Sequence, residues 1–176
     1  IYNMLRAAGY DEEEGKPTRY RFFADDLFGL DRSLQLIVEE YFAPAARRLD
    51  VRKRILMLVG PVGGGKSTLV TLIKRGLERY SKTEQGAAYA IDGCPMQEEP
   101  LHLVPEDLRD DFRNRFGVMI EGDLCPVCRY RLEHEWGSNI HSVPVRRIAF
   151  SERERCGIGT FKPSDPKSQD VAELTG

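Results

Sequence analysis

A chain of 176 residues is long enough for one well-buried domain, and its 26 Lys plus Arg against 28 Asp plus Glu give a formal net charge of -2. This near-neutral balance argues against nucleic acid or an anionic membrane surface as a partner, and no apolar stretch reaches the roughly 18 residues of a membrane span. Four cysteines fit reduced thiols or a metal site better than a disulfide framework, so we expect a cytoplasmic protein.

The N-terminal segment, residues 1–30, is mostly polar and includes the acidic run DEEEG. We predict the end of a helix followed by a loop, and so an N-terminal linker. The chain begins with Ile1 and closes at Gly176 without a helix pattern, from which we expect a fragment whose C-terminal part is missing.

The first strong periodicity predicts an amphipathic helix with Asp31 as a plausible N-cap. Its apolar positions follow helical spacing: Leu34, Ile37, Val38, Tyr41 and Phe42. Pro44 should kink or divide this helix, leaving a short second helix that carries Arg47 and Arg48.

Residues 54–59, RILMLV, form a continuous apolar run of the kind found in strands of parallel sheets. A glycine-rich loop follows, and then a predicted helix over 66–80. Its inward positions should be Leu69, Val70, Leu72, Ile73 and Leu77. Strand, loop and helix in this order are half of a βαβ unit.

Further strands are predicted at 87–91 and 143–150, and a helix at 105–116. Residues 117–142 would be an insertion, and the tail from residue 157 is turn-like. The predicted fold class is therefore α/β, a P-loop domain with a mostly parallel central sheet flanked by helices.

The stretch GPVGGGKS fits the phosphate-binding pattern G-x-x-x-x-G-K-[ST], with a strand before it and a helix after it. Lys66 would reach the β and γ phosphates of ATP, and the Ser67 hydroxyl would complete the Mg²⁺ shell. The alternative is a chance glycine-rich turn. The predicted cofactor-binding residues here are Gly60, Pro61, Val62, Gly63, Gly64, Gly65, Lys66, Ser67 and Thr68.

Phosphate transfer or hydrolysis also needs a carboxylate, and Asp92, after the apolar AYAI, is the candidate beside Lys66 for a catalytic role. We favour the alternative that Asp92 begins an Asp-Gly turn. A catalytic Asp92 would suit a small-molecule kinase.

Cys125 and Cys128 have the C-x-x-C spacing that grips one tetrahedral Zn²⁺, which is half of a site. The remaining ligands would come from other Cys and His residues: Cys94, Cys156, His102, His134 and His141. Free thiols that pack as small hydrophobes are the alternative. A zinc-knuckle module for nucleic acid is a weaker hypothesis, because the charge is near neutral and the C-x-x-C is single.

Three stretches carry a resemblance to a known family: the run from GPVGGGKST to CPMQEEPLHLVP, then EGDLCPVC, then GIGTFKPSDPKSQDVAELTG. Together they resemble the PrkA-type serine protein kinases, whose ATP-binding half is an AAA-like P-loop domain. The resemblance implies an ATP-dependent bacterial protein that transfers the γ-phosphate to protein serine, or an AAA-type ATPase that remodels or degrades proteins. It also implies that the Mg²⁺-binding acidic motif lies C-terminal to PSDPKSQD.

By the same analogy, Phe28 and Gly29 in the segment DLFGL would pack on adenine, while the alternative is a hydrophobic staple ahead of Asp31. The kinship makes a homo-oligomer plausible. The protein substrate cannot be identified from the sequence.

Overall fold

The computed structural model describes residues 1–46 and 55–161, and the chain divides into two compact units, Ile1–Gly86 and Ala87–Gly176. The helices and strands of the first unit are α1 (Tyr2–Ala7), β1 (Tyr10–Asp11), β2 (Arg19–Tyr20), a 3-10 turn (Arg21–Phe23), α2 (Asp31–Leu36), a π-helical segment (Ile37–Phe42), α3 (Ala43–Ala46) and α4 (Lys66–Tyr80). Those of the second are β3 (Ala88–Ile91), 3-10 turns (Pro100–Leu103, Glu106–Leu108), α5 (Arg109–Phe116), α6 (Pro126–His134), a 3-10 turn (Ile140–Ser142) and β4 (Val145–Ile148).

The N-terminal 30 residues are part of the core of the first unit. The buried cluster comprises Met4, Leu5, Tyr20, Phe23, Leu27, Leu34, Val38, Phe42 and Leu69. Within it, β1 and β2 form an antiparallel pair in which Tyr10 opposes Tyr20. The interpretation of 1–30 as a linker is therefore wrong. The acidic run begins in β1 and continues into the exposed connection between the two strands, while buried apolar residues lie on either side of it in the sequence.

The predicted amphipathic helix is confirmed as α2, the π-helical segment and α3 in succession. Asp31 is its first helical residue and not its N-cap, which is Leu30 and makes no side-chain cap. Pro44 lies within α3 and does not end the helix at its own position. Its ring would crowd the carbonyl four residues earlier, at Glu40, and the chain there is wound as a π-helix. Arg47 and Arg48 lie outside the described residues.

The apolar run before the glycine loop, residues 55–59, belongs to no helix or strand and has no strand partner among the described residues. Alternate residues face opposite ways: Leu56 and Leu58 pack on the core, whereas Ile55, Met57 and Val59 are 84%, 79% and 85% exposed. A run that is apolar on both sides indicates a strand buried on both faces. In this structure only one side is covered. Arg54 lies outside the described residues.

The mostly parallel central sheet is not found among the described residues, where both strand pairs are antiparallel. In the second unit β3 pairs with β4, with Ala88 opposite Ile148. Strand periodicity locates strands but does not choose their partners, so the sequence predicted these two strands and missed their direction.

Helix α4 has the predicted bounds, although Val70, expected inward, is 43% exposed. The helix predicted at 105–116 begins as a 3-10 turn and continues as α5. Residues 117–142 contain α6. No helix among the described residues is long and apolar enough to cross a membrane. The stretch PSDPKSQD lies outside the described residues.

Candidate functional site

The glycine-rich loop connects the apolar run 55–59 to α4. Gly63 and Gly65 have φ of 82° and 76°, in the left-handed region that glycine adopts without strain. Gly65 is also the N-cap of α4, and its carbonyl accepts the Leu69 N–H at 2.8 Å. Helix α4 therefore begins directly after the left-handed Gly65, two residues beyond the left-handed Gly63, and glycines of this conformation before a helix start favour anion binding.

The Lys66 ammonium lies across this loop. It donates to the carbonyl oxygen of Gly60 at 2.7 Å and also to that of Pro61. Ser67 and Thr68 follow in the first turn of α4 and are exposed. Helix geometry leaves first-turn N–H groups without intrahelical partners. The loop therefore brings a cation, hydroxyl groups and backbone donors together at one helix end.

A cavity of about 450 Å³ lies beside the loop. Its apolar lining includes Leu27, Leu30, Ile37, Leu56 and Leu69, and its loop lining includes Gly60, Pro61, Gly64, Gly65 and Lys66. The volume falls within the range of small-molecule sites, roughly 300–1,000 Å³. An apolar wall next to a cationic, glycine-rich rim suits a ligand with a flat apolar ring at one end and phosphates at the other.

The two residues predicted to contact adenine do not line this cavity. Phe28 is 75% exposed, and Gly29 has a left-handed φ of 70° in the turn before α2. Their neighbours Leu27 and Leu30 line it instead, and a Cβ on Gly65 would lie 3.3 Å from Leu27 and 3.4 Å from Leu30. Adenine contact by Phe28 and Gly29 stays a prediction. The sequence signal for the cavity-lining residues was the i, i+3 pair of leucines.

Asp92 belongs to the second unit, in the turn that follows β3. Its carboxylate accepts the Gly93 N–H at 3.0 Å and forms an ion pair with Arg146 at 3.3 Å. Its carbonyl oxygen accepts from Arg131 at 3.1 Å. These contacts support the turn-residue alternative, and a catalytic role for Asp92 stays a prediction.

All four cysteines belong to the second unit, and three of them lie close together. The ligand atoms of Cys94, Glu98, Cys125 and Cys128 all lie within 4.8 Å of one another. Among the other candidates, His102 contacts Glu98, whereas Cys156 lies against Gln97. His134 bonds the Tyr130 carbonyl within α6, and the His141 N–H bonds the Asn139 side chain. Sequence reasoning missed Glu98, although it lies four residues after Cys94.

Burial and hydrogen bonding shift the pKa values of the cluster residues in opposite directions. Burial alone would raise the pKa of Glu98, but hydrogen bonds from His102 and Cys125 outweigh it and hold that pKa below the usual range. Burial, together with the neighbouring thiols of Cys94 and Cys125, raises the pKa of the Cys128 thiol well above its usual value. Burial opposes the ionisation of Cys94 too, yet N–H groups of Glu98 and Met96 lower its pKa.

A sequence model of the PrkA AAA domain matches residues 10–176. The chain belongs to the PrkA AAA domain family. It is 60% identical over 176 residues to the ATP-dependent protease PrkA of Bacillus subtilis (strain 168), covering all of this chain and 28% of that protein. It is 28% identical over 165 residues to the serine/threonine kinase YeaG of Escherichia coli (strain K12), covering 90% of this chain and 24% of that protein. No solved structure matches the chain.

The family confirms the resemblance that the motifs carried, and an AAA domain implies ATP as the ligand. The chain spans only about a quarter of the PrkA and YeaG sequences, at 28% and 24% of their lengths. The names of these relatives differ in the reaction, one a protease and the other a kinase.

Proposed function

We propose that the chain binds MgATP and supplies the nucleotide-binding part of an AAA-type ATPase. The observation that carries this proposal is the loop itself, in which two left-handed glycines, the Lys66 ammonium and the start of α4 meet beside an apolar cavity. Loop geometry supports it as well, since Gly63 and Gly65 occupy φ values that disfavour any side chain.

Each loop residue has a proposed role. The carbonyls of Gly60 and Pro61 hold the Lys66 ammonium within the loop, ready to exchange them for the β and γ phosphate oxygens. Ser67 would supply a hydroxyl oxygen to Mg²⁺, which prefers hard oxygen ligands. Adenine would lie against the Leu27 and Leu30 wall of the cavity.

For the whole protein we propose ATP-dependent proteolysis, because the relative that is 60% identical over the full chain is named an ATP-dependent protease. A serine/threonine protein kinase that transfers the γ-phosphate to protein serine is the second candidate, supported by the 28% identical relative with that name. The carboxylate that assists hydrolysis would follow the PSDPKSQD stretch, as the resemblance implies. We also propose a cytoplasmic setting and a homo-oligomer.

Titration calorimetry with ATP and Mg²⁺ tests the binding proposal on three proteins: the parent, Lys66→Ala and Lys74→Ala. The control removes the same charge from the same helix, eight residues further along α4. A lost charge-assisted contact corresponds to about 1.5–3 kcal/mol, so Lys66→Ala should weaken binding by tenfold or more while Lys74→Ala binds like the parent. ATP binding by Lys66→Ala as tight as that of the parent would contradict the proposal.

Radiolabelled ATP then separates the two candidate reactions in the whole protein. ATP-dependent loss of an unstructured protein substrate, without label on protein, supports the protease. Stable label on protein serine, without substrate loss, supports the kinase. Phosphate release by the 176-residue chain itself would indicate an internal carboxylate, with Asp92→Asn the first variant to test.

A further inference from the structure

The cysteine cluster of the second unit lies in a different unit from the phosphate loop and has no part in the proposed nucleotide site. Its cysteines come from two segments. Cys94 lies in the turn after β3, Cys125 is the N-cap of α6, and Cys128 lies in the first turn of that helix. The Cys94 and Cys125 sulfurs are 3.7 Å apart, and Cys94 and Cys128 are both buried.

Glu98 enters the cluster with its orientation fixed on both sides. One carboxylate oxygen accepts the Cys125 backbone N–H at 2.7 Å, and the other contacts His102 Nδ1 at 2.5 Å. His102 is itself held on its other side, because its Nε2 lies 2.8 Å from the Glu121 carbonyl oxygen. Glu98 is only 8% exposed. A buried carboxylate positioned by a histidine beside three thiols resembles the outer support of a metal ligand.

Backbone and side-chain contacts hold the segments of the cluster together. The Cys125 sulfur accepts the Cys128 N–H at 3.4 Å, at the positive end of α6. Arg131, one turn further along α6, donates to the Asp92 carbonyl and so fastens the turn that carries Cys94 to the helix that carries the other two cysteines. The three sulfurs are therefore brought together by contacts that do not themselves require a metal.

We propose that Cys94, Glu98, Cys125 and Cys128 bind one structural Zn²⁺, with three thiolates and the Glu98 carboxylate as the four ligands. The four donor atoms lie within 4.8 Å of one another, so the widest separation must close by about 1 Å to reach the roughly 3.3–3.8 Å edges of a tetrahedral site with metal–ligand distances of about 2.0–2.3 Å. His102 is a positioning residue that orients the carboxylate. Binding displaces the three thiol protons and changes no oxidation state.

A structural role follows from the size of the surrounding core. Among the described residues, the fully buried cluster at this place comprises Ile91, Cys94, Cys128 and Val143, with partly buried apolar side chains packed against it. Small cores commonly need a metal or a covalent link for stability. A Zn²⁺ here would tie the turn after β3 to the start of α6, where apolar burial alone is slight.

Metal analysis of the chain purified in reducing buffer without chelator is the first test. We expect about one equivalent of zinc in the parent protein and in Cys156→Ser, which removes the cysteine outside the cluster. Cys128→Ser should lose the metal. Cobalt reconstitution of the parent should give thiolate-to-metal charge-transfer absorption and intense tetrahedral d–d bands, a readout that does not depend on any variant folding.

Glu98→Gln tests the fourth ligand. It should shift the cobalt d–d bands and weaken zinc affinity, measured by chelator competition, by roughly 10–100-fold. An unchanged spectrum and affinity would overturn the Glu98 assignment. Zinc below about a tenth of an equivalent together with no cobalt–thiolate band would overturn the site as a whole. So would iron in place of zinc, or a Cys94–Cys125 disulfide found by mass spectrometry of the unreduced protein.

Discussion

Three glycines of the phosphate loop should differ in their tolerance of alanine, because the structure places a new Cβ in three different situations. Gly60 has no left-handed φ, and its Cβ would approach only the flexible end of Lys66, at 3.9 Å. Gly63 has a φ of 82° and open space around the Cβ position. Gly65 has a φ of 76°, and its Cβ would meet Leu27 at 3.3 Å and Leu30 at 3.4 Å.

The expected changes in the free energy of unfolding follow from these situations. A left-handed φ costs an alanine roughly 1–2 kcal/mol, while replacing glycine removes about 0.4–1 kcal/mol of unfolded-state entropy. Gly63→Ala should therefore destabilise by about 0.5–1.5 kcal/mol, and Gly60→Ala should be neutral or slightly stabilising. Tight contacts with two leucines add to the strain at Gly65, so Gly65→Ala should destabilise by about 1.5–3 kcal/mol.

ATP affinity should follow the same order. If the loop of Gly65→Ala moves to relieve the strain, the first N–H groups of α4 move with it. Each charge-assisted hydrogen bond to a phosphate that is lost in this way should weaken ATP binding by about tenfold or more. Urea unfolding followed by circular dichroism gives the stability series, and Mg-ATP calorimetry on the same samples gives the binding series. The reasoning would be refuted by Gly60→Ala as damaging as Gly65→Ala, or by a neutral Gly63→Ala.

Three further predictions concern the first unit. Gly76→Ala should lower the free energy of unfolding in urea by about 1–3 kcal/mol, because the new Cβ collides with the Phe22 ring. This loss outweighs the roughly 1 kcal/mol by which alanine is favoured over glycine in a helix, and an unchanged stability would contradict the prediction. Burial and the charge of a nearby carboxylate raise the pKa of Tyr20 to about 12, so its contribution to stability is complete below pH about 10 and is lost as the pH rises from about 10 to 12. In Tyr20→Phe the free energy of unfolding should fall less over this pH range than in the parent protein. An equal fall in both proteins would count against the prediction. Leu30→Ala should weaken ATP binding several-fold in calorimetry while Phe28→Ala leaves it unchanged, and the opposite order would restore Phe28 as the adenine contact.

Local patterns predicted the elements well and their partners poorly. Helical spacing gave α4 with its observed bounds, and apolar runs located β3 and β4. The pairing of β3 with β4 is antiparallel and joins residues far apart in the chain, and no local pattern encodes such a pairing. The linker interpretation failed for a related reason. Composition averaged over 1–30 was dominated by one exposed acidic run, whereas burial is decided residue by residue.

The two candidate sites also differ in how much of each could be predicted from local sequence patterns. The loop at Gly60–Ser67 could be predicted because all its residues are consecutive, so spacing alone fixes the arrangement. The cysteine cluster could be predicted only in part. Cys125 and Cys128 are three residues apart in the sequence, whereas Cys94 and Glu98 are brought next to them by the fold. The cavity lining by Leu27 and Leu30 was missed because choosing them over Phe28 requires knowing which face of the segment turns inward.

The N-terminal segment and the phosphate loop depend on each other physically. Leu27 and Leu30 lie within van der Waals reach of the Cβ position of Gly65, and Met4 and Phe22 press on Gly76 in the same helix, α4. Interiors are close-packed, so a displacement on one side of such a contact is felt on the other. Any ligand that fills the cavity between these leucines and the loop must therefore stabilise the N-terminal residues as well as the loop, because the same leucines belong to the cavity wall and to the wall of the core.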